Sequence, residues 1–544
     1  MQNMNVHKMI KILKIGILFW IVITLIPIIT AEICECNSCE DCTEKLSNFS
    51  CDEILLSDDI NASGECINIL NVENKTFDCQ GHKIVRKEPG IGIVLRNSTK
   101  CSLINCKILS SGGIIMYSSQ YNTIKNTILN GTGGGIAALS DSNFNLIYNN
   151  TVINSYNGVW ILSSSKNKVI NNNLSFNHVG VEIVSGSFNE IINNEIYQNI
   201  ESGIMISPGG CISLGCIPSI NNTISHNKII MNTIGINALT EKNVLTEKNV
   251  SSNFTADSNE ICLNIDKDIK VSEGSFMEGK NNTCDDEKCK RHCNITITDC
   301  NCASCMECRL KLRSDKCKEV KLISDILFLY FGADPCISFP SENKTFNCNT
   351  HTIKNGPYSY YAPAMVVGTE NITIKNCIVK DFFNGIIISG SNCKIMNTMV
   401  NSSKITGILL YGAKNSSIIN NTLTFNQEGI GIMGDGTKLL NNSIMFNEEG
   451  IYAGGVDLVM DSNIICNNKL DVRGNKKYLQ NAKGINNFCD ISEEWHDDEK
   501  ERCTYNCTQI PLKQEIDYNK YLIMAIILIT ILSSLLVIYY KKFI

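Results

Sequence analysis

Residues Asn145–Ile206 read NLIYNNTVINSYNGVWILSSSKNKVINNNLSFNHVGVEIVSGSFNEIINNEIYQNIESGIMI, and one phrase occurs in them three times. NLIYNNTV begins at Asn145, NKVINNNL at Asn167 and NEIINNEI at Asn189, and a glycine followed by an apolar residue trails each copy, at Gly158, Gly180 and Gly203. Outward from this stretch, NTISHNKI (Asn222–Ile229) and NSSIINNTL (Asn415–Leu423) repeat the phrase. The glycine ladder extends through Gly92, Gly113, Gly135 and Gly235, and runs again through Gly385, Gly407, Gly429 and Gly450. Its steps are 21, 22, 23, 22, 23 and 32 residues in the first run and 22, 22 and 21 in the second. Short apolar runs split by Asn, Gly and Ser are strand and turn signals, and no sustained helical period lies between the two ends of the chain. A period of about 22 residues is too short for a domain and fits one coil of a parallel β-helix. Coils stacked at the strand spacing of about 4.8 Å pair each backbone amide with the coils above and below. Leucine-rich repeats have a similar period, but their Leu-x-x-Leu-x-Leu phrase is missing, and Ile and Asn dominate instead.

Stacking places equivalent residues in columns. Asn126, Asn150, Asn172, Asn194 and Asn227 are expected to form an amide ladder at a turn, where Asn also tolerates left-handed backbone, and the glycine column is expected to permit a sharp bend. Strand alternation sends the apolar residue after each ladder glycine inward and the next one outward. The outward residues are then Ile115, Ala137, Trp160, Glu182, Met205 and Asn237, followed in the second run by Ile387, Leu409, Gly431 and Tyr452. Glu182 alone among them is ionisable, which argues against a conventional catalytic face of paired carboxylates or of a base beside a cation. As an exposed glutamate it reads as a solvated surface residue. Trp160, Tyr156, Glu182, Met205 and Tyr452 are the candidate ligand-binding residues: an outer apolar stripe either lies under a loop or binds, and Trp160 can stack on a sugar ring with Tyr156 nearby.

The chain is also duplicated on a larger scale. CECNSCEDC (Cys34–Cys42) recurs as CNCASCMEC (Cys300–Cys308), NKTFDCQGHKI (Asn74–Ile84) as NKTFNCNTHTI (Asn343–Ile353), and DDEKCKRHC (Asp285–Cys293) parallels DDEKERCTYNC (Asp497–Cys507). The expected fold class is all-β: two tandem right-handed parallel β-helices with Cys-rich caps, plus a C-terminal transmembrane helix. The expected boundaries are a signal peptide or signal anchor over 1–31, a Cys-rich cap over 32–70, a β-helix over 71–275 and a Cys-containing cap and linker over 276–299. A second Cys-rich cap over 300–342, a β-helix over 343–480, a cap and stalk over 481–520, a membrane helix over 521–540 and a cytoplasmic tail over 541–544 complete it.

The two ends place the protein. Lys8, Lys11 and Lys14 precede the apolar run Ile15–Thr30, and Ala31 then yields to Cys-rich sequence, the pattern of an export signal. Tyr521–Tyr540 supplies twenty residues without a charge, long enough to span a hydrocarbon core, and Lys541 and Lys542 beside it favour the cytoplasmic side. The body then faces outward. Composition agrees: of 544 residues 43% are apolar, 19% charged and only 9 are Pro, which excludes a disordered or collagen-like chain. A net charge of −6 without a basic run excludes an electrostatic footprint for nucleic acid.

In an exported body the 28 Cys are expected to pair as disulfides, a bound zinc ion or iron–sulfur cluster being the other use of Cys-x-Cys-x₂-Cys-x₂-Cys. Cys79 with Cys106 and Cys348 with Cys377 lie one coil apart, and Cys211 with Cys216 can close the loop that lengthens one coil to 32 residues. The seven His, including His82 and His351 in the duplicated phrase, show no short metal-ligand spacing, so no metal ligands and no cofactor are assigned. Nineteen Asn-x-Ser/Thr sequons offer sites for glycans on an exported surface.

The phrases NKTFDCQGHKI and NITIKNCIV (Asn371–Val379), with the glycine ladder, resemble the right-handed parallel β-helix surface proteins grouped with periplasmic copper-binding, carbohydrate-binding and sugar-hydrolase β-helix families. The resemblance covers roughly residues 50–275 and 317–475. It implies the fold more than any activity, since such folds serve lyases, hydrolases, epimerases and adhesins alike. The expected function is a membrane-anchored extracellular structural or glycan-recognition element. Its expected partners are extracellular glycans or envelope proteins, and the lipid bilayer through residues 521–540. A glycan-active lyase, hydrolase or epimerase with residues in loops such as Pro208–Ser219 is the alternative, and a metal-delivery accessory protein a weaker one.

Overall fold

The computed structural model describes residues 32–509 except 63, 87–89, 110–111, 210–216, 243–248, 288, 290, 294–296, 330–332, 357–360, 480, 499 and 501. The export signal at 1–31, the span at 521–540 and the Cys211–Cys216 pairing lie outside the described residues. Among the described residues no helix is long and apolar enough to cross a membrane. The chain divides into two compact units: Met1–Cys317 with Leu327–Ile337 and Asn355–Ala362, and Lys318–Ile326 with Ser338–Lys354 and Pro363–Ile544.

In the first unit three strands per coil build three parallel sheets, of eleven, nine and nine strands. Thr123–Lys125 lies between Ser102–Ile104 and Leu146–Tyr148, Ile128–Asn130 between Lys107–Leu109 and Thr151–Ile153, and Ile136–Leu139 between Ile114–Tyr117 and Asn157–Leu162. Most short strands point one Ile, Leu or Val into the coil, so Ile124, Ile147, Val169, Ile191 and Ile224 form one fully buried column. The second unit repeats the scheme in strands such as Thr373–Lys375, Ile378–Lys380 and Ile386–Ile388, each paired in parallel with the strand one coil later.

The Asn-Asn doublets explain the corners. The first residue of each pair is left-handed (Asn149, Asn171, Asn193 and His226, φ +53° to +57°), the conformation that Asn and His adopt more readily than branched residues. The second points inward and hands its hydrogen bonds down the stack. Asn150 donates from its backbone N and its Nδ2 to Asn172 Oδ1 at 2.8 and 3.0 Å, and Asn172 does the same to Asn194 and Asn194 to Asn227. Two further ladders occupy the other corners, Asn122–Asn145–Asn167–Asn189–Asn222 and Asn177–Asn199–Asn232–Asn264. One expected ladder member is corrected: Asn126 stands in the exposed left-handed column with Asn105 and Asn149, and Thr127 takes the buried place, because the doublet there reads Asn-Thr.

A ladder of donors pointing one way needs an acceptor at its end. An aspartate supplies it: Asp268 Oδ1 accepts from Asn264 Nδ2 at 2.8 Å, and in the second unit Asp471 ends the Asn426–Asn447–Asn468 ladder and Asp497 the Asn421–Asn442–Asn463–Asn487 ladder. The glycine column serves the expected bend at Gly113 and Gly135, which are left-handed at φ +66° and +54°, and meets a second need elsewhere. A Cβ on Gly180 would lie 2.5 Å from Gly203 O and 2.6 Å from Ile196 Cγ2, so close approach between coils excludes every side chain there.

The Cys-rich phrase forms a strand, a short helix and three disulfides, twice over with one connectivity. Cys34–Cys51, Cys36–Cys42 and Cys39–Cys66 enclose helix α1 (Cys39–Ser47), and Cys300–Cys317, Cys302–Cys308 and Cys305–Cys336 enclose helix α2 (Cys305–Arg313). Ser38 and Ser304 cap the two helices by accepting from Asp41 N and Glu307 N. Cys79–Cys106 and Cys348–Cys377 staple neighbouring coils, while Cys262–Cys293, Cys284–Cys289, Cys466–Cys507 and Cys489–Cys503 tie the last coils.

Candidate functional site

The outward residues after the ladder glycines align in one row on each unit. Ala137, Trp160, Glu182, Met205 and Asn237 are consecutive register partners, and Lys270 extends the row. In the second unit Ile387, Leu409, Gly431, Tyr452 and Arg473 follow one another. Alternation fails at the ladder glycine itself. A Cβ on Gly429 would lie 2.7 Å from the core atom Ile444 Cγ2, so this glycine faces inward, as does Ile430, and the preceding residue turns outward. This break creates a second outer row, Asn157 in the first unit and Glu428 and Glu449 in the second, which a strict period of two could not reveal.

In the first unit the two rows meet at Glu182. Its Oε2 accepts from Asn157 Nδ2 at 2.7 Å. Burial raises the Glu182 pKa above the ordinary carboxylate value; the Asn157 hydrogen bond opposes this, the Glu201 charge adds to it and His178 opposes it. Glu182 is therefore not the solvated surface residue its sequence position suggests. Tyr156, 42% exposed, packs its ring 4.6 Å from the His178 ring, and His178 Nε2 stands 2.7 Å from Glu201 Oε2. His178 Nδ1 lies 3.8 Å from Asp334 of the same compact unit. Met205 and Asn237 are buried in the row. Trp160 Nε1, Asn157 Oδ1 and Asn237 Oδ1 are buried and have no hydrogen-bond partner among the described residues. Unpaired buried polar atoms are rare in native proteins, and here they share one outer face.

The second unit carries a different set. Glu428 and Glu449 are register partners on adjacent strands, and Arg473 Nη2 holds Glu449 Oε2 at 2.5 Å with its guanidinium 5.3 Å from the Tyr452 ring centre. Asn475 Nδ2 donates to Tyr452 Oη at 3.1 Å. The Glu428 carboxyl folds over Gly431, where a Cβ would come within 2.3 Å of its Oε1. Burial, with the Glu449 charge adding, raises the Glu428 pKa from 4.5 to about 7. Burial raises Glu449 too, and Arg473 opposes it. The structure thus unites Trp160, Tyr156, Glu182 and Met205 in the first unit and sets Tyr452 in the second. The sequence reading missed Asn157, His178, Glu201, Glu428, Glu449 and Arg473. The signal for the outward row was available: a polar residue immediately ahead of a ladder glycine.

A family model described as periplasmic copper-binding protein (NosD) matches residues 44–207 and 337–509. No curated protein sequence matches the chain. Some solved structures are similar to the chain at low identity and low TM-score. They include the surface adhesin PfbA of Streptococcus pneumoniae (9% identity, 73% of this chain and 88% of that one, TM-score 0.32). A PL6 family alginate lyase, AlyGC, is also similar (9% identity, 87% of this chain and 100% of that one, TM-score 0.30). So is the catalytic domain of a GH87 alpha-1,3-glucanase (14% identity, 73% of this chain, TM-score 0.27), of which this chain spans 59%. With three parallel sheets wound through every coil, the protein is a right-handed parallel β-helix.

Copper is held by imidazole, thiolate or thioether donors. His82 and His351 instead face Asp59 and Asp325 at 3.4 and 3.2 Å, and Cys101 and Cys393, the free cysteines among the described residues, are buried with their thiol pKa raised by burial. Asp268, Asp285 and Cys293 are the one close group of three potential donors among the described residues. There Cys293 is spent in its bond to Cys262, and Asp268 accepts from Asn264 and the Asp285 backbone. Among the described residues no close group of His, Cys, Asp and Glu fits a copper site.

Proposed function

We propose, from the premise that the chain belongs to the periplasmic copper-binding protein (NosD) family, that it acts outside the cytoplasm as a glycan-recognition solenoid rather than as a copper carrier. The single observation that carries this reading is the outer face where Trp160 Nε1 and Asn157 Oδ1 are buried without protein partners beside Glu182 and the half-exposed Tyr156. A saccharide offers a ring face for the half-exposed Tyr156 and hydroxyls for the partly exposed Glu201 carboxylate beside it, while Asn157 and the Trp160 indole N–H lie beneath this surface. The disulfides support an oxidising compartment. The duplicated Cys-rich phrases support two tandem modules, and the apolar run Tyr521–Tyr540 supports a membrane anchor with the body outside.

A glycan array probed with the full chain and with Trp160→Ala tests the proposal. Binding by the wild type and its loss in the variant are expected, and a wild type that binds no glycan would overturn it. A second reading, glycan cleavage, is favoured by Glu428 and Glu449. The first is a carboxyl kept protonated near neutrality by burial, the second a carboxylate held by Arg473 on the neighbouring strand. Reducing-sugar release that disappears in both Glu428→Gln and Glu449→Gln would establish it, and release unchanged in the two variants would dismiss it.

A further inference from the structure

Left-handed corner positions in this protein are filled most often by Asn, which suits them. One corner column of the first unit instead reads Tyr121, Phe144, Lys166 and Phe188 on successive coils, all with φ between +58° and +60°. Bulky residues in that region carry backbone strain. Tyr121 and Phe144 offset it in part by stacking, with ring centres 4.8 Å apart and planes 5° apart, and Lys166 Nζ leans back over the Phe144 ring at 5.0 Å. Phe188 has no such compensation. It is 51% exposed, and its ring meets no other ring and no cation among the described residues. Because Lys166 turns toward Phe144, its ammonium does not take the face that Phe188 turns to it.

The column one residue earlier is polar. Asn143 Oδ1 accepts from Ser165 N at 2.6 Å, Ser165 Oγ from Ser187 N at 3.1 Å, and Ser187 Oγ from Ile220 N at 3.2 Å. Each of these half-buried side chains thus gives an acceptor to the backbone of the next coil. What remains is the donor: the Asn143 Nδ2 hydrogens and the Ser165 and Ser187 hydroxyl hydrogens have no acceptor among the described residues. Lys166, exposed beside them, has no carboxylate partner among the described residues. A strip of unused donors with one cation, next to an open aromatic ring, calls for an anion carried on a ring with an apolar face.

We infer that this corner is a second saccharide site, on a different column from the Tyr156 face, which takes a carboxylated sugar: the sugar ring lies on Phe188 and its carboxylate accepts from Lys166 Nζ and from the Ser165 and Ser187 hydroxyls. Charge-assisted hydrogen bonds to the carboxylate give the selectivity, since a neutral sugar would meet the same ring and leave the ammonium without a counter-charge. Stacking on Phe188 gives the orientation, and the strain held there is of the kind retained where function needs it. The site stands whether or not the Tyr156 face binds a glycan.

Calorimetric titration of the full chain with a hexuronate oligosaccharide and with a neutral hexose oligosaccharide of equal length tests the site. The hexuronate is expected to bind, with about tenfold or greater loss in Phe188→Asn and in Lys166→Gln and near-normal binding in Lys166→Arg. Phe188→Asn is the decisive variant: Asn suits the left-handed corner, so its melting temperature should equal or exceed that of the wild type while binding is lost. Absence of hexuronate binding, equal binding of the neutral oligosaccharide, or a loss in Lys166→Arg as large as in Lys166→Gln would each overturn the inference. So would Phe188→Asn binding like the wild type, and if Trp160→Ala then loses the hexuronate, the ligand belongs to the Tyr156 face and only the separate site fails.

Discussion

Replacing Glu428 by Gln should change the pH dependence of stability in one specific way. Burial lifts this carboxyl from 4.5 to about 7, so the folded protein holds the proton more tightly than the unfolded chain. Below about pH 4.5 both states are protonated and the group is neutral in its effect. As the pH rises from about 4.5 to about 7 the unfolded chain ionises first, so stability falls through this window, and above pH 7 the whole penalty is present. At about 1.4 kcal/mol per tenfold change in proton affinity the penalty reaches at most about 3–4 kcal/mol, less the screening at its solvent-facing edge. Glutamine keeps the shape and removes the charge. Calorimetric melts of wild type and Glu428→Gln from pH 4 to pH 8 should therefore diverge as the pH rises, with the variant more stable at pH 8 and nearly equal at pH 4. Two melting curves that stay parallel across the range, or that converge toward pH 8, would refute the reasoning.

The buried and exposed asparagine columns should respond very differently to alanine. Asn442→Ala strips the Asn421 N–H and one Asn421 amide hydrogen of their acceptor, each now 3.0 Å from Asn442 Oδ1, and should cost about 2–6 kcal/mol in denaturant titrations. Asn420→Ala removes only the exposed 2.8 Å bond to Asn397 and places Ala at φ +56°, for a cost of about 1–2 kcal/mol. Gly180→Ala should lower the melting temperature steeply or prevent folding, because its Cβ would meet Gly203 O at 2.5 Å. Gly412→Ala, at φ +71° but with no atom within 4 Å of its Cβ, should cost only the conformational term of about 1–2 kcal/mol.

Read alone, the sequence determines that the chain winds into coils, because a solenoid repeats one local environment and so imposes one local phrase at each turn. Asn-Asn doublets, glycines about 22 residues apart and twin Cys-rich phrases all reflect forces acting between a residue and its copy in the next coil. For the same reason Trp160, Glu182 and Met205 could be placed on one row before any coordinates were known. Only the tertiary structure decided which neighbour of a repeat faces which way where the period breaks. The inward turn of Gly429 sets Glu428 on the outer side of the strand, the Asn-Thr doublet puts Asn126 outside its ladder, and Asp268, Asp471 and Asp497 end donor chains whose direction no one-dimensional pattern records. Burial likewise turned Glu182 from an expected surface residue into a carboxyl with a raised pKa, since desolvation depends on what covers a residue and not on its own identity.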